Sequence, residues 1–410
     1  MRRIFVLYHG FGNIGDFAIF KGTLRALYWV IPNAEFIIID PKPPPSRSHS
    51  FKIRWLSTRH LFRGSVAKRI STHLKAALQI MTGFSSDRFS IKTEGSILWH
   101  KGGSGFDGYH GTVPLFLSAV DTLALAEGFD LRILGGLSLG FYKNNLEKTI
   151  IKRFTEAWDY ILLREPFSKY YLVKAGVDKN IFLVHDFAFH VEEHCSKNAQ
   201  RIIEKLKTYD DKPRLAISIR DYYYDYKPNI YNSYLLFIGR LLKTLMKDFY
   251  VFLIPMASSG YRENDVRFIK TLKKLKIIPE GVMPLYEVVT LDPEELICLL
   301  KVFDVGLGIR THFSILSSVA CVPTFHLFYE HKGAGIFEFS LNNLLPIMDL
   351  FEAIHNPFNS IRPIIDRLSR MIDEKDKIQK GLQKLITSNR MHNLTVVRYV
   401  VKNLYNSQIN

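Results

Sequence analysis

A strand–helix–strand pattern in residues 299–332 is the feature that most constrains how this chain can fold. The predicted elements are a strand at 302–309, a helix at 313–320 and a strand at 323–328. Arg310 and His312 lie at the joint between the first strand and the helix. Open α/β sheets bind ligands at the carboxyl ends of their strands, and helix N-termini bind anions. Both side chains are therefore expected to face a ligand. The alternative is that they are surface residues of an ordinary loop.

Glycine-rich segments follow three other predicted strands. They lie at residues 9–16, 101–107 and 135–140. Glycine lets backbone N–H groups approach a ligand, so three such flexible joints are expected to line the rim of one cleft. None of the three segments contains the phosphate-binding pattern GxxxxGK[ST], and we do not infer a nucleotide site from them. For the first segment, the alternative is a tight turn in which Asn13 and Asp16 cap the following helix.

The length of 410 residues suits two domains of similar size. A polar, lysine-containing segment at 192–211 is interpreted as the exit from the first domain. We therefore expect one domain at 1–195, a second at 212–340 and a helical segment at 341–410. The amino-terminal apolar run ends at His9 and is interpreted as a first strand. No apolar run approaches the ~20 residues needed to cross a bilayer.

The formal net charge of +16, from 55 basic and 39 acidic residues, predicts an anionic partner. Composition does not choose between nucleic acid, lipid headgroups and phosphorylated metabolites. The sequence contains no RNA- or DNA-binding signature, so a nucleic-acid partner is not expected. Three cysteines without CxxC spacing predict neither a disulfide framework nor a zinc site, and they fit a reducing compartment.

Many of the basic residues lie in the segment 47–75. Six apolar residues in and just after this segment follow helical spacing. They are Phe62, Val66, Ile70, Leu74, Ala77 and Met81. A basic amphipathic helix can lie on an anionic membrane surface, or it can pack on its own domain and leave its charges in water. Both interpretations remain open from the sequence.

Several short motifs occur in a recognisable order. They are Gly12-Asn13-Ile14-Gly15-Asp16-Phe17-Ala18, Gly102-Gly103-Ser104-Gly105, Arg164-Glu165-Pro166-Phe167-Ser168, Asp186-Phe187-Ala188-Phe189, Arg310-Thr311-His312 and Tyr329-Glu330-His331-Lys332. In this order the chain resembles the polysaccharide pyruvyl transferase family. Ser104 stands where a third glycine is usual, and Phe187 replaces a common proline. Neither departure removes a charged group.

The resemblance implies an α/β fold with two Rossmann-like domains facing a cleft, as in the GT-B glycosyltransferases. The N-terminal domain would form the acceptor side and the C-terminal domain the donor side. Members of the family transfer the enolpyruvyl unit of phosphoenolpyruvate to two hydroxyls of a sugar, which forms a cyclic pyruvate ketal. Phosphoenolpyruvate is then a substrate rather than a cofactor, and the chemistry requires no metal.

The resemblance also implies roles for individual residues. The donor carries a carboxylate and a phosphate, which the fixed fork of arginine suits better than lysine does. Arg310 is therefore assigned as a donor clamp, with Arg220 and then Arg164 as further candidates. The methylene carbon of the donor must be protonated, and protonated histidine is available near neutral pH. His312 is assigned as this acid.

On the acceptor side, Asp16 and Asp107 are assigned to orient hydroxyls, and Asn13 and Gly103 to substrate-binding loops. The acceptor is expected to belong to a cell-surface polysaccharide or its lipid-linked precursor. The protein is expected to be cytoplasmic, with or without peripheral contact with an anionic membrane. One rival is a GT-B glycosyltransferase that uses a nucleotide sugar. Another rival is a non-catalytic polysaccharide-assembly protein.

Overall fold

The computed structural model describes residues 3–8, 12–40, 53–56, 66–82, 96–108, 111–126, 129–178, 180–221, 228–258 and 264–406. The chain divides into two compact units. The first unit contains residues 1–9, 22–187 and 390–410, and the second contains residues 10–21 and 188–389. The sequence analysis placed residues 10–21 in the N-terminal domain. They belong to the second unit because the backbone of residues 12–14 hydrogen-bonds to residues 256–258.

A parallel sheet forms the first unit, with eight strands in its described part. These strands are β1 (Arg3–Leu7), β2 (Glu35–Ile39), β3 (Ile53–Leu56), β4 (Ser96–His100), β5 (Gly103–Asp107), β6 (Leu131–Gly140), β7 (Tyr160–Leu163) and β8 (Ile181–Leu183). Their spatial order is β3-β2-β1-β4-β6-β7-β8, and β5 also pairs with β6. The order changes direction between β1 and β4, which is the pattern of a doubly wound Rossmann-like sheet.

Helices connect these strands. They are α1 (Ile14–Val30), α2 (Val66–Thr82), α3 (Thr112–Ala126), α4 (Asn145–Glu156) and α5 (Pro166–Lys174). Parallel strands require crossover connections of this kind, and strands covered by helices are apolar throughout. β1, β2 and β4 accordingly consist almost entirely of buried residues. The boundary between the two units falls within α1, so residues 14–21 of this helix belong to the second unit.

The expectation of flexible joints at residues 101–107 and 135–140 was wrong. Residues 103–107 form β5, which pairs with the second half of β6, so both glycine-rich segments have ladder partners. The glycines have a packing role there. A Cβ atom on Gly135 would lie 2.0 Å from Nε1 of Trp99, so a side chain at this position would displace the indole ring. The sequence pattern could not distinguish glycine needed for packing from glycine in a loop.

The second unit contains another parallel sheet, with six strands among its described residues. These are β9 (Arg214–Ser218), β10 (Tyr250–Leu253), β11 (Met283–Pro284), β12 (Val305–Gly308), β13 (Thr324–Phe328) and β14 (Ile347–Asp349). The spatial order β11-β10-β9-β12-β13-β14 again changes direction, here between β9 and β12. Each unit therefore has the doubly wound, Rossmann-like topology that the family resemblance implied.

The helices that follow complete the second unit and the end of the chain. They are α6 (Lys197–Leu206), α7 (Pro228–Leu245), α8 (Asp265–Lys274), α9 (Pro293–Leu300), α10 (Thr311–Val319), α11 (His331–Leu341), α12 (Leu350–His355), α13 (Pro357–Asp373) and α14 (Lys375–Asn406). Short 3₁₀ helices occupy Phe187–His190 and Tyr286–Thr290. None of the helices in the described part of the chain is both long and apolar enough to span a bilayer.

The start of α9 was predicted correctly from the sequence, and strand β14 was not predicted. Asp292 is the N-cap of α9, and its N–H donates to the Glu295 carboxylate at 2.7 Å, so the predicted start of this helix is confirmed. The expected helical segment at 341–410 begins with a short strand, because β14 pairs with β13 at the edge of the second sheet before α12, α13 and α14 follow. A strand of three residues is too short to produce a recognisable alternation of apolar and polar residues.

A disulfide joins Cys195, just before α6, to Cys298 in α9, with 5.5 Å between the two Cα atoms. The sequence analysis predicted no disulfide, and this was wrong. The two cysteines are 103 residues apart in the chain, so their pairing depends on how α6 packs against α9 and not on local spacing. A carboxylate oxygen of Glu193 and both sulfur atoms lie within 4.8 Å of one another.

His326 is a fully buried histidine in β13 beneath the start of α10. Its Nδ1 lies 2.9 Å from the carbonyl oxygen of Gly308 and 3.1 Å from Oγ of Ser314. The carbonyl oxygen can only accept a hydrogen bond, so Nδ1 carries the proton. The ring also stacks on Phe337 with 4.3 Å between centroids. Burial lowers the pKa of His326 from its ordinary 6.5 to about 4, so the native protein holds this ring neutral.

We expect the second unit to lose stability as the pH falls from 6.5 towards 4. In that range the unfolded chain protonates His326 and the native chain does not, so the unfolded state binds more protons and is favoured at lower pH. The full difference between the pKa values of His326 in the unfolded and native states corresponds to about 3 kcal/mol in the free energy of unfolding. Urea midpoints measured across this range should fall more steeply for the wild type than for His326→Gln. Equal slopes would contradict the prediction, and His355→Gln is the matched control, because this histidine of α12 is exposed.

Candidate functional site

Arg220 and Arg310 occupy equivalent positions at the carboxyl ends of two neighbouring parallel strands. β9 and β12 pair so that Ser218 lies beside Gly308, and each arginine follows two residues later. These two strands flank the point at which the strand order of the second sheet changes direction. Open α/β sheets bind ligands at this point. The sheet register therefore brings the two predicted donor clamps to the same level of the sheet.

A buried carboxylate orients the guanidinium group of Arg310. Nη2 donates to Oδ1 of Asp265 at 2.6 Å, and Nε donates to Oδ2 at 3.2 Å. This is the bidentate geometry for which arginine is suited. The Asp265 side chain is inaccessible to solvent, and Oδ2 also accepts from the N–H groups of Met256 and Ala257. Asp265 therefore joins Arg310 to the loop that follows β10.

The predicted glycine-rich loop before α1 contacts that same segment after β10. Ile14 donates its N–H to the carbonyl of Met256 at 2.9 Å, and Ser258 donates to the carbonyl of Gly12 at 3.1 Å. An antiparallel bridge pairs Asn13 with Ala257 between these bonds. The Gly12–Gly15 loop is thereby held beside the residues that position Arg310. The structure thus connects the first of the ordered motifs, at residues 12–18, to the motif that contains Arg310.

His312 packs directly against the backbone of Gly15. A Cβ atom on Gly15 would lie 2.6 Å from Cβ of His312 and 2.7 Å from both Cγ and Nδ1. Such contacts do not occur between real side chains, so glycine at position 15 leaves the space that the imidazole occupies. The side chain of Asn13 accepts from the N–H of Gly15 at 2.8 Å and caps α1, as the sequence alternative predicted. His312 is half-buried, so its ring also reaches solvent.

The first turns of α1 and α10 meet at this contact. α10 begins at Thr311, and α1 begins at Ile14. The first turn of a helix carries a partial positive charge, while the positive charge of Arg310 is paired with the buried Asp265 carboxylate. Asp16, which lies in the first turn of α1, is half-buried. The N–H groups of the two helix starts favour a small anion at this contact, and the carboxylate of Asp16 opposes it.

Arg220 is held by two tyrosines. Its Nη1 donates to the hydroxyl of Tyr329, and its guanidinium carbon lies 5.0 Å from the centre of the Tyr329 ring. The hydroxyl of Tyr234 donates to the carbonyl of Arg220 at 2.8 Å. Burial raises the pKa of Tyr329, so its hydroxyl remains protonated and available as a hydrogen-bond partner. Tyr329 belongs to the last of the six ordered motifs found in the sequence.

The other predicted site residues lie in the first unit. Arg164 is buried, where Nη1 donates to Asp186 and Nε donates to Oγ of Ser138, both at 2.7 Å. The Arg164 and Asp186 side chains are 4% and 1% exposed, so this pair stabilises the ends of β7 and β8. Asp107 is buried at the end of β5, and Gly103 begins that strand at a φ of 110°. Their roles towards a substrate stay predictions.

Sequence reasoning missed two positioning residues. Asp265 looked like a polar residue at the end of a loop, because Asn264-Asp265 is also an ordinary helix start. Asn264 is in fact the N-cap of α8, while Asp265 turns inward to Arg310. The motif order included Gly15, but nothing in it indicated that His312 lies against this glycine. The sequence does contain one indication for Asp265. This aspartate directly follows a capping residue and begins a helix that has a buried face.

Solved structures with the same fold include a glycosyltransferase from Rickettsia africae. It aligns with a TM-score of 0.53 and 14% identity over 98% of both chains. The HepE protein of Anabaena in complex with UDP-glucose gives a TM-score of 0.55 and 10% identity over 99% of this chain and 100% of that one. A UDP-forming α,α-trehalose-phosphate synthase from Burkholderia vietnamiensis aligns with a TM-score of 0.56. The identity is 13% over 99% of this chain and 100% of the synthase. At these identities the similarity shows the fold, and the predicted GT-B-like fold is confirmed.

Sequence comparison identifies the family. No curated protein sequence is significantly similar to this chain. The family model for polysaccharide pyruvyl transferase matches residues 13–331, which extend from the Gly12–Gly15 loop to the first residue of α11. The match includes Asn13, Gly15, Arg220, Asp265, Arg310, His312 and Tyr329. The chain therefore belongs to the polysaccharide pyruvyl transferase family.

Proposed function

We propose that this protein transfers the pyruvyl unit of phosphoenolpyruvate to two hydroxyls of one sugar and forms a pyruvate ketal. The acceptor sugar belongs to a cell-surface polysaccharide or its lipid-linked precursor. The observation that carries the proposal is the contact of His312 with Gly15 beside Arg310, within a chain of this family. This contact places an ionisable side chain at the start of α10, where the strand order of the second sheet changes direction.

The charges of this joint suit the donor. Phosphoenolpyruvate carries a phosphate and a carboxylate, and arginine can bind both groups through paired hydrogen bonds. Arg220 and Arg310 lie at the same level of neighbouring strands, so each can bind one anionic group of the donor. The first turns of α1 and α10 add N–H groups and partial positive charge. Asp265 and Tyr329 orient the two guanidinium groups before the donor binds.

The proposed reaction has a simple proton balance. His312 gives a proton to the methylene carbon of the donor, which becomes a methyl group while the adjacent carbon becomes cationic. One sugar hydroxyl forms a bond to that carbon, and the carbon–oxygen bond to phosphate breaks. The second hydroxyl then forms the other ketal bond. The two hydroxyls lose two protons, of which one replaces the proton of His312 and one leaves with phosphate.

Replacing Gly15 with alanine is expected to lower kcat about 100-fold, because the added Cβ displaces the His312 ring. A displacement of about 1 Å at a reacting group can cost this much. The melting temperature should also fall, because Cβ of His312 is bonded to the backbone of α10 and moves only with it, so kcat is measured at a temperature where circular dichroism shows the variant folded. Gly239→Ala is the matched control, because its Cβ would meet the nearest atoms at 3.3 Å. A Gly15→Ala enzyme with wild-type kcat would show that this contact does not position His312.

A glycosyltransferase is the second candidate. HepE, which has the same fold, was solved in complex with UDP-glucose, and a pair of arginines also suits the diphosphate of a nucleotide sugar. A nucleotide-sugar donor does not require protonation of a methylene carbon. The two candidates therefore predict different roles for His312. Only the pyruvyl transfer predicts that a product methyl group takes up deuterium from D₂O.

An incubation in D₂O separates these candidates. The purified full-length chain is mixed with a panel of lipid-linked and free glycans and with either phosphoenolpyruvate or UDP-glucose. The proposal expects phosphate release that requires both phosphoenolpyruvate and a glycan, and a product methyl group that carries one deuterium. Calorimetric titration with phosphoenolpyruvate alone reports donor binding. UDP release without phosphoenolpyruvate turnover, or absence of both donor binding and turnover, would overturn the proposal.

The cellular setting is part of the same proposal. Phosphoenolpyruvate is a metabolite of the cytoplasm, so we place the reaction at the cytoplasmic face of a membrane where glycans are assembled on lipid carriers. Fractionation of cells expressing the tagged chain, with and without a high-salt wash, tests this placement. Recovery of the chain outside the cytoplasm would contradict it.

A further inference from the structure

Helix α2 presents an apolar face to solvent. Ile70, Leu74, Leu78 and Met81 are 55%, 60%, 57% and 69% exposed. Their spacing of four, four and three residues places them on one side of the helix. Ala76 and Ile80, on another side, are buried in the core of the first unit. The helix therefore packs inward through Ala76 and Ile80 and leaves four large apolar side chains outside the core.

The exposed apolar surface continues on the neighbouring helix α3. Val113 and Leu117 are 67% and 54% exposed. They share a helix face with Asp121, whose carboxylate lies 3.2 Å from Nε2 of His73 in α2. This contact brings the two helices together along that face. Exposed apolar surface of this extent marks an interaction site.

The charge of the surrounding sequence restricts the class of partner. Residues 41–86 contain nine lysines and arginines and no aspartate or glutamate. α2 itself has no acidic residue and includes Lys75, which is half-buried. A second copy of this chain would present the same positive charge across a symmetric interface, and like charges would repel. An anionic surface is attracted to every lysine and arginine near it.

We propose that α2 and the start of α3 form a membrane-contact face that lies on an anionic lipid surface. Ile70, Leu74, Leu78 and Met81 enter the boundary between headgroups and acyl chains, while Lys75 remains at headgroup level. Such contact is peripheral and reversible. Of the six residues of the predicted stripe, Ile70, Leu74 and Met81 are exposed and Ala77 packs partly against the core. The side chains of Phe62 and Val66 lie outside the described part of the chain. The exposed members support the membrane alternative over simple inward packing. The inference goes beyond the proposed reaction and does not depend on it.

Vesicle flotation with the full-length chain tests the membrane-contact face, in the absence of phosphoenolpyruvate and glycan. Wild type is expected to float with vesicles of phosphatidylcholine containing about 30% phosphatidylglycerol at low salt, and not with phosphatidylcholine alone. High salt should release it. Leu74→Gln with Leu78→Gln should lower the bound fraction at least about tenfold. Leu236→Gln with Leu275→Gln is the matched control, because these leucines are 65% and 57% exposed elsewhere.

A second measurement does not require removal of apolar side chains. The Leu78→Trp variant should show fluorescence quenching by brominated lipids in anionic vesicles, and Leu236→Trp should not. Absence of wild-type flotation at low salt would overturn the proposal. Equal flotation of the leucine variant and its control would also overturn it. A wild-type dimer that the leucine variant converts to a monomer, without flotation, would assign the face to a second copy. Because no donor is present, these results remain separate from the outcome for the transferase reaction.

Discussion

Replacing His312 with glutamine is expected to lower kcat for pyruvyl transfer by about 100- to 10,000-fold, with little change in the affinity for phosphoenolpyruvate. A general acid acts mainly in the transition state, when the methylene carbon accepts its proton, so its loss lowers kcat more than donor binding. Glutamine keeps the polar character of the side chain and removes its ability to transfer a proton. Its amide is similar in size to imidazole and fits beside Gly15.

Steady-state kinetics and calorimetric titration with phosphoenolpyruvate measure these two effects separately. His355→Gln is the matched control, because this histidine is exposed in the last turn of α12. A His312→Gln enzyme with kcat within a few-fold of wild type would remove His312 from the mechanism. Loss of donor binding with unchanged kcat would make His312 a binding residue instead.

Replacing Asp265 with asparagine is expected to destabilise the second unit by about 3–5 kcal/mol and to lower activity together with stability. The Arg310 and Asp265 side chains are only 8% and 0% exposed, so the substitution leaves a buried guanidinium group without its carboxylate. The N–H groups of Met256 and Ala257 lose a charged acceptor at the same time. These groups connect Arg310 to the Gly12–Gly15 loop, so the donor site is disturbed on both sides.

Denaturant unfolding and donor titration report the effect. The matched control is Asp366→Asn on α13, where the same substitution breaks an arginine–aspartate pair whose members are 80% and 41% exposed. That pair should contribute less than about 1 kcal/mol. Equal unfolding free energies for the two variants would show that Asp265 does not stabilise the second unit. Intact stability with wild-type donor affinity would show that Arg310 needs no buried carboxylate to bind the donor.

The candidate site was partly predictable because some of its geometry is local. An apolar strand that runs into Arg310-Thr311-His312 and then into a helix places two ionisable groups at a strand end, whatever the rest of the fold. The equivalence of Arg220 and Arg310 required more, because it depends on β9 lying beside β12 with Ser218 opposite Gly308. Helical or strand periodicity contains no information about which strands become neighbours.

Residues 101–107 and 135–140 show where local signals mislead. Their glycines are typical of loops, and both segments are strands because they pair with each other and because Trp99 packs against Gly135. The same applies to Cys195 and Cys298, whose pairing follows from the packing of α6 against α9. In each case the deciding interaction is with a residue far away in the chain.

The sequence by itself determined most of the alternation of strands and helices, the strand-to-helix joint at residues 310–312 and the family, because these depend on neighbouring residues and on ordered motifs. The tertiary structure decided that Gly15 leaves room for His312, that Asp265 orients Arg310 and that the apolar stripe of α2 points to solvent. The physical reason is the same for all three. Packing and buried charge pairing act between residues that the fold brings together, and their energies depend on distances that no spacing along the chain specifies.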